Sequence, residues 1–435
     1  MKQFNVVTSG TPEFSRLLAA LARRGETDLE AVEATVREIL RGVKSEGDAG
    51  LTRWVQRFEK RTPAKLLDRD YGGAQCLAEL PPTLRSALEL AATRIRRYHE
   101  RQLERLGGFE YEEDGIVLGS RVTPLERVGI YAPGGKARYP SSVLMTAVIA
   151  SVAGVKEIIV ASPDTCPEVR AACHLAGVHA LLDAGGAQAI AALAYGTESV
   201  PRVDKIVGPG NIYVAAAKRL VFGEVAIDSI AGPSEILVIA DHSARPEVVA
   251  ADLLSQAEHD EAAYPLLVTT SAELAQAVAR ALEEQLKTLP KAAIARVSVE
   301  THGAALVVKD RAELVSVANA LAVEHVAVQT EDARALADSI KAAGALFVGH
   351  STPEAAGDYV AGPSHVLPTG GAARFSAPLG VYDFVARSSV IQYEAAALAR
   401  QADAITTFAR AEGLEAHARA VDVRTDQAAP GYRRG

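Results

Sequence analysis

The chain is poor in cysteine, tryptophan, methionine and aromatic residues as a group. Cysteine occurs three times in 435 residues, at Cys76, Cys166 and Cys173. An odd count with no CxxC pair argues against a disulfide framework and against a thiolate zinc centre. No long hydrophobic run is present either. The longest, around Val143–Val155, is interrupted by Thr146, Ser151 and Gly154, and a bilayer crossing takes about 20 apolar residues. The opening MKQFNVVTSG lacks the apolar core of a secretion signal. Positive charge is not in excess: 46 Lys and Arg stand against 54 Asp and Glu, for a net charge of −8. Nucleic acid and membrane surfaces are therefore poor partners for this chain, and a cytoplasmic protein is expected. No repeat or low-complexity tract stands out. The remaining composition, 49% hydrophobic and 23% charged, is that of a globular protein. At about 150 residues per domain its length allows two to four domains.

Periodicity divides the chain. The first ~110 residues read as helical, with Val32, Val36, Ile39, Leu40 and Val43 at three-and-four spacing. From Arg127 short apolar runs alternate with helical segments: RVGIYAP, KEIIVAS, VHALLDAG and DKIVG each precede a helical stretch. Nearly continuous apolar strands between helices are the pattern of a parallel sheet covered on both faces. A second series of the same kind starts at AGPSEILVIAD. Residues 351–378, rich in glycine and proline, read as a long ordered loop, and such loops are usually functional. The tail is expected to end in one helix, TTFARAEGLEAHARAV.

Four histidine neighbourhoods in the C-terminal half could carry chemistry. Gln256 and His259, three apart, would share one face of a helix. With the Asp358 carboxylate and the His417 imidazole they would make a mixed N/O set suited to zinc or a neighbouring divalent metal. Glu324 and His325 are adjacent at what reads as the end of an apolar helix, so their side chains would serve different steps as acid and base. For each histidine a satisfied surface or core position competes with the functional reading. The turns GIYAPGGKARYPSS, DAGGAQAI and VGPGNIYV each follow a strand and precede a helix, where backbone amides can cradle phosphate. None is GxGxxG. Tyr131, Gln188 and Asn211 fall at these three turns, and Lys136 and Arg138 could meet a phosphate there.

Several long segments resemble the histidinol dehydrogenase family: RVGIYAPGG, PSSVLMTAVIA, DAGGAQAIAALAYGT, VDKIVGPGN, ADLLSQAEHD, GDYVAGPSHVLPTGGAARFS and AEGLEAHA. The match runs from about Arg127 to the C-terminus and is weaker before it. The resemblance implies an NAD-dependent, zinc-containing homodimer that oxidises L-histidinol to L-histidine through histidinal. The fold it implies is α/β, with two incomplete Rossmann-like parallel-sheet domains and small extended terminal segments exchanged in the dimer. The expected division is an extended segment at 1–25 and a helical segment at 26–126 packing with the second large domain. An NAD-binding domain at 127–233, a metal and substrate domain at 234–378 and a dimerisation segment at 379–435 follow. Gln256, His259 and Asp358 would bind one zinc per subunit, completed by His417 across the dimer. Glu324 and His325 would be the catalytic pair. Ser234, His365 and Glu412 would join the zinc ligands and His325 around substrate, and Tyr131, Gln188 and Asn211 would contact NAD. The sequence departs from the family pattern at Val323, Ala327, Ser364 and Ser229. These departures leave a related zinc-containing dehydrogenase of another small alcohol as the alternative.

Overall fold

A computed structural model of the chain describes residues 4–24, 29–134 and 139–425. Lys136 and Arg138 lie outside them. The chain forms two compact units, one from Met1–Leu103 with Leu125–Phe384, the other from Glu104–Pro124 with Val385–Gly435.

The first unit opens with β1 (Asn5–Thr8) and α1 (Pro12–Ala22). The Thr11 side chain accepts from Phe14 N and caps this helix. The N-terminal segment is thus mostly helix, not extended as expected. Next come α2 (Glu30–Glu59), β2 (Leu67–Asp68), α3 (Gly73–Glu79) and α4 (Pro82–Arg105). Two strands of the second unit, β3 (Phe109–Glu113) and β4 (Ile116–Pro124), follow.

The first βα series contains β5 (Arg127–Tyr131), α5 (Pro140–Ala153), β6 (Glu157–Ala161) and α6 (Pro167–Ala176). It continues through β7 (Ala180–Leu182), α7 (Gly186–Tyr195), β8 (Lys205–Val207), α8 (Ile212–Val221) and β9 (Ala226–Ile227). The sheet order is β2-β7-β6-β5-β8-β9. β5 to β9 are parallel and β2 joins antiparallel to β7. The apolar stripe of α2, including Val36, Val43 and Leu51, shares one core with Ala189 and Leu193 of α7 and Val214 of α8. The helical segment expected to pack with the second large domain therefore packs α2 on the first. Burial of a single stripe decides this, because it can face only one sheet.

The second series runs β10 (Glu235–Ala240), α9 (Pro246–Ala257), β11 (Tyr264–Thr269), α10 (Ala272–Leu286) and α11 (Ala292–Thr301). It goes on through β12 (Ala304–Val307), α12 (Arg311–Leu321), β13 (His325–Gln329), α13 (Ala333–Ala337), β14 (Ala345–Val348) and α14 (Glu354–Tyr359). Its order is β1-β12-β11-β10-β13-β14, parallel throughout. Every residue of β10, β12 and β13 is buried, as apolar runs under helices on both faces require. The expected loop at 351–378 contains α14, which matters below.

In the second unit β15 (Val385–Tyr393) pairs antiparallel with β4, and β4 with β3. Two helices complete it, α15 (Ala395–Ala411) and α16 (Glu415–Thr425). The tail expected as one helix breaks at Gly413, whose φ of 75° lies in the left-handed region.

Candidate active site

The expected acid–base pair, Glu324 and His325, sits where β13 begins, beside the start of β10. α12 stops at Leu321, and Ala322, with φ 46°, turns the chain out of the helix. Glu324 and His325 therefore open a strand rather than close a helix, correcting the sequence expectation. His325, paired in register with Ile236, is buried. Its Nδ1 lies 3.0 Å from the Glu235 carbonyl oxygen. A carbonyl only accepts, so Nδ1 carries a proton, and Nε2 points at Glu354 Oε1 (3.6 Å) and Asp358 Oδ1 (3.7 Å). Burial disfavours charge on this imidazole, but Glu324, Asp358 and Glu354 outweigh it and hold its pKa well above the ordinary value.

Glu235 organises the pair, and sequence reasoning missed it. Its backbone N–H donates to Glu324 Oε2 at 2.9 Å, while its own Oε2 accepts from Glu324 N at 3.3 Å. Arg24 Nη2 donates to the same carboxylate at 2.7 Å in a fully buried ion pair. Burial still pushes the Glu235 carboxyl up, against the pull of Arg24. One signal was available: a lone charge at the head of the apolar run EILVIA.

Glu354 was missed as well. It is 1% exposed and stands four residues before Asp358 on α14, a spacing that puts both carboxylates on one helix face. Glu354 Oε1 accepts from Gln256 Nε2 at 2.7 Å, and Glu354 Oε2 accepts from Ser255 Oγ at 2.7 Å. Burial and the neighbouring Asp358 push the Glu354 carboxyl up to about 8. Asp358 goes the other way: burial raises it, but His325 and His365 hold it below the usual carboxylate range. Donor atoms of His325, Glu354 and Asp358 all lie within 4.8 Å of one another, and could hold a metal ion.

Gln256 and His259 do not share a helical face. α9 ends at Ala257, and exposed His259 sits in the following turn with its backbone N on Gln256 O at 3.1 Å. His365 Nδ1 lies 3.2 Å from the Asp358 carbonyl oxygen. Burial lowers its pKa despite the Asp358 charge. Ser234 directly precedes Glu235 and is half-buried. Beside His365, Ser364 donates to the Met145 carbonyl at 2.9 Å and accepts from Val366 N. Glu412 and His417 belong to the second unit, where both are exposed, Glu412 as the C-cap of α15 and His417 within α16.

The expected cofactor residues stand on the first sheet. Tyr131 ends β5, and Asn211 follows β8 as the N-cap of α8, accepting from Tyr213 N and Val214 N. The Tyr131 hydroxyl accepts from Gly186 N at 3.0 Å, and burial pushes its pKa up. Gln188 Nε2 donates to Glu59 Oε1 at 3.1 Å, and Gly185 N to the same oxygen at 2.9 Å. The start of α7, expected as a phosphate cradle, thus holds the protein's own carboxylate. A carboxylate satisfies helix N-terminal amides as a phosphate would. Glu59 is in turn paired with Arg61, which reaches Asp183 at 2.7 Å.

Two buried polar atoms beside Glu354 have no hydrogen-bond partner, Gln256 Oε1 and His325 Nε2. Unpaired buried groups are costly, and an amide oxygen next to carboxylates is a hard-cation donor. The residues present therefore fit a divalent metal. Two wound, mostly parallel sheets and a buried carboxylate–imidazole cluster place the chain among α/β proteins. The family model for histidinol dehydrogenase matches residues 22–425. A histidinol dehydrogenase from Syntrophotalea carbinolica is 53% identical over 95% of this chain and 97% of its own. That of Aquifex aeolicus is 52% identical over 94% and 96%. The crystal structure of histidinol dehydrogenase from Elizabethkingia anophelis superposes with a TM-score of 0.90 at 33% identity, covering 98% of each chain. The chain belongs to the histidinol dehydrogenase family and is an oxidoreductase. No helix among the described residues is long and apolar enough to cross a membrane.

Proposed function

We propose that the chain oxidises L-histidinol to L-histidine in two hydride transfers, each to one NAD, with histidinal between them. One water enters, and two NADH and three protons leave. The observation that carries the reading is the pinned imidazole of His325, whose Nε2 faces Asp358 and whose neighbour Glu324 is held by Glu235 N. His325 takes the alcohol proton at Nε2 while the carbon gives up its hydride. As water adds to histidinal, Glu324 takes a proton from the water and His325 returns its proton to the carbonyl oxygen, giving the hydrate. His325, neutral again, takes a hydrate proton as the second hydride leaves. Gln256, His259 and Asp358, with His417 of the partner subunit, would hold zinc, which supplies a fixed template for the substrate's nitrogen atoms. Ser234, His365 and Glu412 orient the substrate. Tyr131, Gln188 and Asn211 receive NAD on the first sheet.

A homodimer with shared sites follows from the same reading. In the second unit Phe109, Ile391, Phe408 and Val423 are each more than 60% exposed, apolar side chains that a second copy would cover. The decisive measurement is NADH formed per histidinol consumed. Two supports the four-electron reaction; one would leave only an alcohol dehydrogenase. Mixed dimers of His417→Ala and His325→Asn chains should regain partial activity, and verified heterodimers without any would place the site within one chain.

A further inference from the structure

We propose that Glu354 is a positioning residue that turns Gln256 so that its amide oxygen, and not its nitrogen, faces the metal. The inference rests on the reading of Gln256 as a ligand and adds the device that makes it one. A glutamine amide is nearly symmetric in shape and opposite in chemistry at its two ends. The nitrogen carries two protons and only donates; the oxygen accepts and can ligate. A half-turn about the last torsion exchanges them at no steric cost, so something must choose. Glu354 chooses, because the oxygen it turns toward Gln256, Oε1, accepts the amide N–H and so fixes which end of the amide faces away. Gln256 Nε2 donates to Glu354 Oε1 at 2.7 Å, and Gln256 Oε1 is left buried and unpartnered.

The brace is itself held. Glu354 is 1% exposed, and its second oxygen accepts from Ser255 Oγ at 2.7 Å. Ser255 Oγ also lies 2.7 Å from the Asp252 carbonyl, inside α9. α14 therefore supplies one ligand, Asp358, and one turn earlier fixes the ligand presented by α9. Gly357 lets that short helix approach β14: a Cβ there would sit 2.6 Å from the Phe347 ring. Outer-shell partners of this kind change metal affinity by about 10- to 100-fold.

The test titrates zinc into metal-stripped full-length protein against a chromophoric chelator, with thermal unfolding and circular dichroism as folding checks. Glu354→Leu should weaken zinc about 10- to 100-fold. Glu354→Gln should stay within about threefold of wild type, because its amide oxygen can accept from Gln256 while its nitrogen faces Ser255 Oγ. Loss in Glu354→Gln as large as in Glu354→Leu would make Glu354 a ligand and overturn the proposal. Wild-type affinity in Glu354→Leu would overturn it too. Adding Gln256→Ala to Glu354→Leu should cost little more than Gln256→Ala alone; full additivity contradicts the proposal even if either variant is less stable. If Gln256→Ala alone leaves zinc unchanged, the ligand reading beneath it fails instead.

Discussion

In the first sheet the parallel strands lie in the order β7-β6-β5-β8-β9, and in the second β12-β11-β10-β13-β14. Each series winds outward from its first strand, then reverses on the other side. Each also borrows one outer strand from upstream chain, β2 or β1. Despite this common plan, the candidate residues occupy opposite ends. Tyr131 is the last residue of β5, and Asn211 follows the end of β8. That is the crevice beyond the carboxyl ends of the strands, at the reversal point, where such sheets usually bind ligands. On the second sheet Glu235 and His325 are the first residues of β10 and β13. The opposite end is closed on itself: Gln329 Nε2 donates to Asp252 at 2.6 Å, and Asp241 accepts from Ser243 N and Glu331 N. In a βα series the helix returns the chain, so helix ends meet strand beginnings. Asp358 near the end of α14 meets His325 in this way, and Gln256 near the end of α9 meets Glu354 of α14. Topology offers a crevice at each end of a sheet, and the candidate residues gather at different ends of the two sheets.

Substitutions can break or sharpen this division. The largest effect is expected from His325→Asn, which should lower turnover about 100- to 10,000-fold, the scale of a lost general base. Zinc content should be retained; its loss would make His325 a ligand. Arg24→Met leaves the Glu235 carboxylate buried without its cation, at a cost of about 3 kcal/mol in a denaturant titration. An unchanged midpoint would remove Glu235 from its organising place at the strand starts. The first sheet has its own buried pair, Lys218 with Asp228. Asp228 accepts from Gly208 N at 2.8 Å, and Lys218 Nζ reaches the Gly208 carbonyl at 2.9 Å. Lys218→Met should loosen the turn before Asn211 and raise the KM for NAD roughly tenfold, as an unpaired charge-assisted bond costs about 1–3 kcal/mol. Zinc affinity should not move; if it does, the sheets do not divide the work as proposed. The smallest effect belongs to Glu59→Gln, which keeps an acceptor at the start of α7 but removes the charge. A change of about two- to fivefold in the KM for NAD is expected, since a carboxylate there is worth about 0.3–1 kcal/mol. Equal losses in zinc affinity would erase the distinction.

Much of the plan was legible in the chain. Alternation of apolar runs with helical stretches located both βα series, because strand and helix periods are local properties. Gly177 and Gly196 follow the ends of α6 and α7 as their C-caps. Adjacency of Glu324 and His325 was legible, but their secondary structure was not. The run LAVEHVAV reads as a continuing helix until Ala322 leaves it at φ 46°. Glu354 escaped because a six-residue helix in a Gly/Pro-rich stretch has too few turns to show a period. Glu235 and Arg24 escaped because 211 residues separate them.

Local pattern and the resemblance in its motifs located the two βα series and the family, and singled out the adjacent Glu324 and His325. Which core α2 joins, which candidate residues gather at the starts of β10 and β13, and which way the Gln256 amide turns depend on contacts between residues far apart in sequence. No local preference encodes these, since each depends on a partner that arrives only when the chain has closed and buried polar groups must find one another.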